Sequence, residues 1–95
     1  MFLHLTKATY LDDYKIKVEF NNGQEGVADL SVILDRKIFS DLKDKAQFAD
    51  FKIDAELETI VWKNGMDLAP EYIYYQVFKH DPKRQQQFQD WGYQF

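Results

Sequence analysis

Residues 14–21 constrain the fold of this chain more than any other stretch. Tyr14, Ile16, Val18 and Phe20 alternate with Lys15, Lys17, Glu19 and Asn21. Strict period-two alternation sends the first set to a buried face and the second to water, which predicts a half-buried strand. The next residues, Asn21-Asn22-Gly23, are a hairpin signal, since Asn-Gly accepts the positive φ angles of a type I′ turn. Residues 24–30 then read as the returning strand. Residues 4–11 read as a preceding one, with Asp12-Asp13 as the turn between it and the central strand. Three successive strands joined by short turns make an antiparallel meander.

The pattern changes after Leu30. Residues 31–50 mix apolar and charged side chains without alternation, which predicts one or two short helices. Ser40 is a candidate N-cap for one, and Asp44 caps a second in which Ala46, Phe48 and Ala49 face inward. Strand character returns with Phe51, Ile53 and Ala55 alternating with Lys52, Asp54 and Glu56, and with the β-branched and aromatic run Thr59 to Trp62. Asn64-Gly65 is a second turn signal and Met66 to Ala69 is short and extended. Pro70-Glu71 opens a helix, because proline is preset for a first helical turn and a carboxylate there complements the dipole. Asp81-Pro82 stops or bends it. The fold class is α+β: a β-meander, a second short hairpin, short middle helices and a C-terminal helix. Residues 1–79 form a single domain. Residues 80–95 form an aromatic, Gln-rich C-terminal tail that packs on the domain or at an interface.

Composition narrows the function classes. There is no cysteine, which excludes a disulfide framework, an iron–sulfur cluster and a thiol nucleophile. Hydrophobic residues at 45% and aromatic ones at 17% are those of a chain with a core. No apolar run approaches the roughly 18 residues that span a bilayer, and residues 1–6 do not read as a secretory leader, so the expected location is cytoplasmic. The net charge is −4, from 12 basic and 16 acidic residues. That balance favours a basic protein partner over duplex DNA, whose binders present a dense basic face.

The order of these elements resembles a known family. The meander is followed by Phe39-Ser40-Asp41-Leu42, by Phe48, and by the run from Ile60 to Tyr74. Within that run, Trp62-Lys63-Asn64-Gly65-Met66-Asp67-Leu68-Ala69-Pro70-Glu71-Tyr72-Ile73-Tyr74 is similar to the closing signature of domain-of-unknown-function family 2442, over roughly residues 4–75 of the chain. The resemblance implies a small bacterial α+β domain without defined catalytic residues, and a toxin–antitoxin-like pairing with a second small protein. Longer relatives carry an added helix-turn-helix, for which too few residues follow the motif here.

No catalytic constellation emerges from the residues. His4 and His80 are far apart with no ligand motif beside them, so no metal and no cofactor are expected. The acidic pairs Asp12-Asp13, Asp41/Asp44 and Glu56/Glu58 sit in turns or caps, where such residues are common. The candidate partner or ligand surface comprises Trp62, Asn64 and Asp67 of the closing motif, with Tyr74, Phe88, Trp91 and Phe95. Lys79, Lys83 and Arg84 form a small basic cluster beside the tail aromatics, a thin footprint for nucleic acid. The leading expectation is a non-catalytic protein-interaction module that pairs with another protein or with itself. The alternative is a regulatory domain that binds a small ligand or nucleic acid.

Overall fold

A computed structural model of the protein describes residues 2–93. Strand β2 (Lys15–Phe20) turns the alternation into two faces: Ile16, Val18 and Phe20 are buried, whereas Lys15 and Lys17 are exposed. It lies between β1 (Leu5–Asp12) and β3 (Glu25–Asp29) in an antiparallel sheet of order β1-β2-β3. Register shifts interrupt β1 between Leu5 and Lys7 and again between Tyr10 and Asp12, so its burial does not alternate cleanly.

Two turns differ from the sequence expectation. Asp12 pairs with Lys15, which moves the first turn to Asp13-Tyr14, and Asp13 takes a φ of 45°. Aspartate tolerates this left-handed conformation better than most side chains. Tyr14 thereby leaves the strand and sits half-buried, its ring edge-on to Phe48 at 5.2 Å. The second turn is not type I′, which needs positive φ at both central residues. Only Gly23 has it, at 85°. The Phe20 carbonyl accepts from Gly23 N–H at 3.1 Å, Phe20 N–H donates to the Gln24 carbonyl, and Asn22 Oδ1 accepts from Gln24 N–H. This is a three-residue loop with a left-handed glycine. Asn64-Gly65 repeats it: Trp62 bonds to Gly65 and Met66 as Phe20 does to Gly23 and Gln24, Asn64 Oδ1 accepts from Met66 N–H, and Gly65 has a φ of 85°.

The middle segment forms two 3-10 helices, Ser31–Asp35 and Lys37–Lys43, followed by α1 (Lys45–Ala49). Ser40 lies inside the second of these and caps nothing. Asp44 caps α1, its Oδ1 accepting from Ala46 N–H at 2.9 Å. Phe48 is buried, whereas Ala46 is exposed. Strands β4 (Phe51–Ile53) and β5 (Ile60–Trp62) pair antiparallel. Ala55 does not continue β4. It lies exposed in the connecting turn, where Asp54 Oδ1 accepts from the N–H groups of Glu56 and Leu57.

Pro70 occupies the first turn of α2 (Pro70–Phe78), which packs on β3. A 3-10 turn at Pro82–Arg84 leads into α3 (Gln85–Asp90). The architecture is therefore α+β, with the meander, the second hairpin, the short middle helices and the C-terminal helix that the sequence predicts. One core cluster runs from Leu5 and the β2 residues through Ile33, Phe39, Phe48 and Trp62 to Ile73, Tyr74 and Phe88.

Candidate functional site

Tyr74 is where the C-terminal elements meet the meander. It projects from the middle of α2 and is 4% exposed. Its ring stands edge-on to Phe20 at 4.9 Å and lies 5.9 Å from Trp91 and 6.3 Å from Phe88. Its hydroxyl accepts from Arg84 Nε at 3.1 Å and from Asn22 Nδ2 at 3.5 Å. One phenol thus ties α2, the β2–β3 turn and the segment before α3 together.

Arg84 is the second tie. It pairs with Asp81, donates to Gln24 Oε1 at 3.1 Å, and lays its guanidinium over the Phe78 ring at 4.3 Å. Asp81 in turn caps the 3-10 turn by accepting from Lys83 N–H. That backbone bond, followed by the Arg84 and Lys83 charges, holds the Asp81 carboxyl below its ordinary range.

A third tie holds the N-terminal segment. Asn21 Oδ1 accepts from His4 N–H at 2.9 Å and its Nδ2 donates to the Phe2 carbonyl at 2.8 Å, while Asn21 N–H donates to the His4 carbonyl. Residues 2–4 are thereby laid against the β2–β3 turn. Between this segment and the C-terminal helices a groove of about 530 Å³ opens. Phe2 and Leu3 line it from the N-terminal segment, and Trp91, with an edge of the buried Tyr74, lines it from the C-terminal helices. Glu71, in the first turn of α2, and Gln87 on α3 supply its uncommitted polar groups. Phe2 is 91% exposed and Trp91 is half-buried.

The residues singled out from sequence divide into two sets. Tyr74, Phe88 and Trp91 come together, but Phe88 is 1% exposed and serves as core beneath the groove. Trp62 is 2% exposed. Its indole Nε1 donates to the Phe48 carbonyl at 2.8 Å and its ring packs against Phe39 and Phe48. Trp62 and Asn64 edge a cavity of about 220 Å³, and Asp67 lines another of about 320 Å³ beside Arg36 and Ile38. Neither cavity shares a lining residue with the groove at Tyr74. Phe95 lies outside the described residues. Trp62, Tyr74 and Phe88 therefore contribute packing rather than open contact area, because each is covered by the aromatic neighbours that its sequence position cannot reveal.

The basic cluster is largely spent on the fold. Arg84 has the partners given above and Lys79 Nζ donates to Gln76 Oε1 at 3.1 Å, which leaves Lys83 projecting into water. His4 Nδ1 lies 2.9 Å from Glu58. Among the described residues, no group of three or more His, Asp or Glu is placed to hold a metal ion, and no helix is long and apolar enough to cross a membrane. Sequence reasoning missed Phe2, Leu3, Asn21 and Gln87 as groove residues. It read Glu71 only as the carboxylate of a helix start. The one available signal was the pair of apolar residues ahead of β1.

No curated protein matches this sequence. Among solved structures, the chain is similar to the crystal structure of a "Putative DNA Binding Protein" from Nitrosomonas europaea ATCC 19718, with a TM-score of 0.75 and 19% identity. The match covers 95% of this chain and 59% of that one, so this chain spans about three fifths of the length of that protein. At that identity the likeness is one of fold. A family model described as "Protein of unknown function (DUF2442)" matches residues 5–79, and with most of its length so matched, this chain belongs to that family.

Proposed function

We propose that this protein is a non-catalytic protein-interaction module whose docking face is the groove between the N-terminal segment and the C-terminal helices. The exposure of Phe2, 91% in the open wall of an aromatic groove, carries this reading. An aromatic side chain held out by its backbone gains on the order of 2 kcal/mol when a partner covers it. The clamp supports the same reading, since Asn21 spends both side-chain bonds on keeping residues 2–4 in place.

The test is affinity capture from the native host with wild-type protein and with Phe2→Ser. The side chain is almost fully exposed, so the substitution leaves the melting temperature within about 4 °C. The expected outcome is a stoichiometric protein partner that the variant fails to retain. Equal retention by both proteins would overturn the reading.

A second reading, nucleic-acid binding, is favoured by the name of the Nitrosomonas europaea protein. The commitments of Arg84 and Lys79 weigh against it here. Duplex DNA binding that weakens steeply with salt and is lost in Lys83→Glu would replace the first reading with this one.

A further inference from the structure

We infer that the groove receives a cationic side chain, an arginine of an extended segment of the partner. This rests on the docking reading above and gives it a chemistry. Three observations bear on the choice. Among the described residues, Glu71 is the one formally charged side chain in the groove lining, and it makes no hydrogen bond or ion pair with another of them. The half-buried Trp91 ring, backed by the buried Tyr74 at 5.9 Å, and the exposed Phe2 line the same groove. The whole chain carries a net charge of −4.

Comparing occupants decides the class. An aliphatic side chain seated between Phe2 and Trp91 would strip water from the Glu71 carboxylate and offer it nothing, a net cost for a charged group. An acidic residue or a phosphate would meet that carboxylate as a like charge. A cation satisfies the carboxylate and can also meet the negative face of an aromatic ring in the lining, Trp91 or Phe2. Guanidinium fits better than ammonium, because it is planar, stacks on an indole and can present two N–H groups to one carboxylate. A volume of about 530 Å³ exceeds one side chain, so part of the segment's backbone enters too. Gln87 is the uncommitted amide there to meet it. The side chains of Asn21 and Asn22 are already taken by the N-terminal segment, by Gln24 N–H and by Tyr74.

The experiment titrates the full ¹⁵N-labelled chain with three capped tripeptides of the form Gly-X-Gly, in which X is arginine, leucine or glutamate. The readouts are the indole N–H resonance and the fluorescence of Trp91. Trp62 is buried and hydrogen-bonded, so it serves as the internal control. The arginine peptide is expected to move the Trp91 signals with the highest affinity of the three, and Glu71→Gln to weaken it about fivefold or more without weakening the leucine peptide. Glutamine keeps a polar side chain in the first turn of α2, and a cooperative melting transition confirms that the variant folds. Equal or tighter binding of leucine, no effect of Glu71→Gln, or no Trp91 response to arginine up to roughly 10 mM would each overturn the assignment. The captured complex separates this failure from the broader one. A complex lost in Phe2→Ser but kept in Glu71→Gln removes the cation and leaves groove docking standing, whereas a complex kept in both removes the docking reading itself.

Discussion

Gly26 shows how little room single positions leave. It pairs with Val18 on the face of β3 that packs against α2. A Cβ built there would lie 2.5 Å from Val77 Cγ1. That methyl belongs to a β-branched side chain on a helix, which has one strongly preferred rotamer and cannot swing aside. Gly26→Ala therefore overpacks the interface and is expected to cost about 1–3 kcal/mol. Urea unfolding of Gly26→Ala, Val77→Ala and the double variant provides the check: the penalty should shrink once Val77 is shortened. Additive losses would show that the strain lies elsewhere. Trp62 makes the complementary point. The closing motif marks it as distinctive, but the motif alone does not distinguish a ligand wall from a core ring. The structure buries the ring and joins its indole to the Phe48 carbonyl, a partner 14 positions away, so it packs in the core. Trp62→Phe removes that donor from a buried carbonyl, and a loss of about 1–3 kcal/mol is expected by the same unfolding assay.

Elements whose boundaries depend on neighbouring residues were legible; those shaped by distant packing were not. The alternation in β2 and the Pro70-Glu71 start of α2 are local signals, and both elements form there, apart from Tyr14, which the first turn takes from β2. The middle segment is different. Phe39 and Leu42 are three residues apart and both buried, a spacing that a 3-10 helix repeats and that sequence inspection readily takes for an α-helical stripe. Several turns connecting the elements are held by aspartates. Two backbone N–H bonds, from Leu57 and Glu56, hold the Asp54 carboxyl below its ordinary value of 3.8, as the Lys83 N–H bond holds Asp81. A carboxyl depressed in the folded state contributes stability that is fully present above its unfolded value and is lost as pH falls through the folded one. The melting temperature should thus be level from neutral pH to about 5 and fall below about 4. Asp54→Asn retains an oxygen acceptor without the charge. It should melt slightly lower at pH 7 and show a shallower acid decline. Parallel acid slopes for variant and wild type would refute the linkage.

At the scale of the whole molecule, the two chain ends build the groove together, and this is why the site was only half legible. Aromatic density in the last third of the sequence pointed to Tyr74 and Trp91. The opposing wall depends on Asn21 reaching back 17 and 19 positions to His4 and Phe2, a contact that no local pattern encodes. The same closure makes a demand on stability. Phe88 is 1% exposed, edge-on to Tyr75 at 5.0 Å, and Trp91 and Tyr93 pack around it, all within one chain. Replacing a buried phenylalanine by alanine costs about 3–5 kcal/mol, against a total of about 5–15 kcal/mol for a domain. Phe88→Ala is therefore expected to lower the melting temperature by more than 10 °C, at roughly 4–8 °C per kcal/mol for a chain of this length. Truncation after Lys79, which also removes Arg84 from Tyr74, should leave the chain largely unfolded at 37 °C. Because these contacts are made within one chain, the shift for Phe88→Ala should be the same at about 10 µM and about 500 µM protein. A loss that appears only on dilution would mean that α3 packs across two copies. A wild-type melting curve for Phe88→Ala would mean that the ring contributes nothing to the core, and the groove it underlies would then have no fixed floor on which to seat a partner.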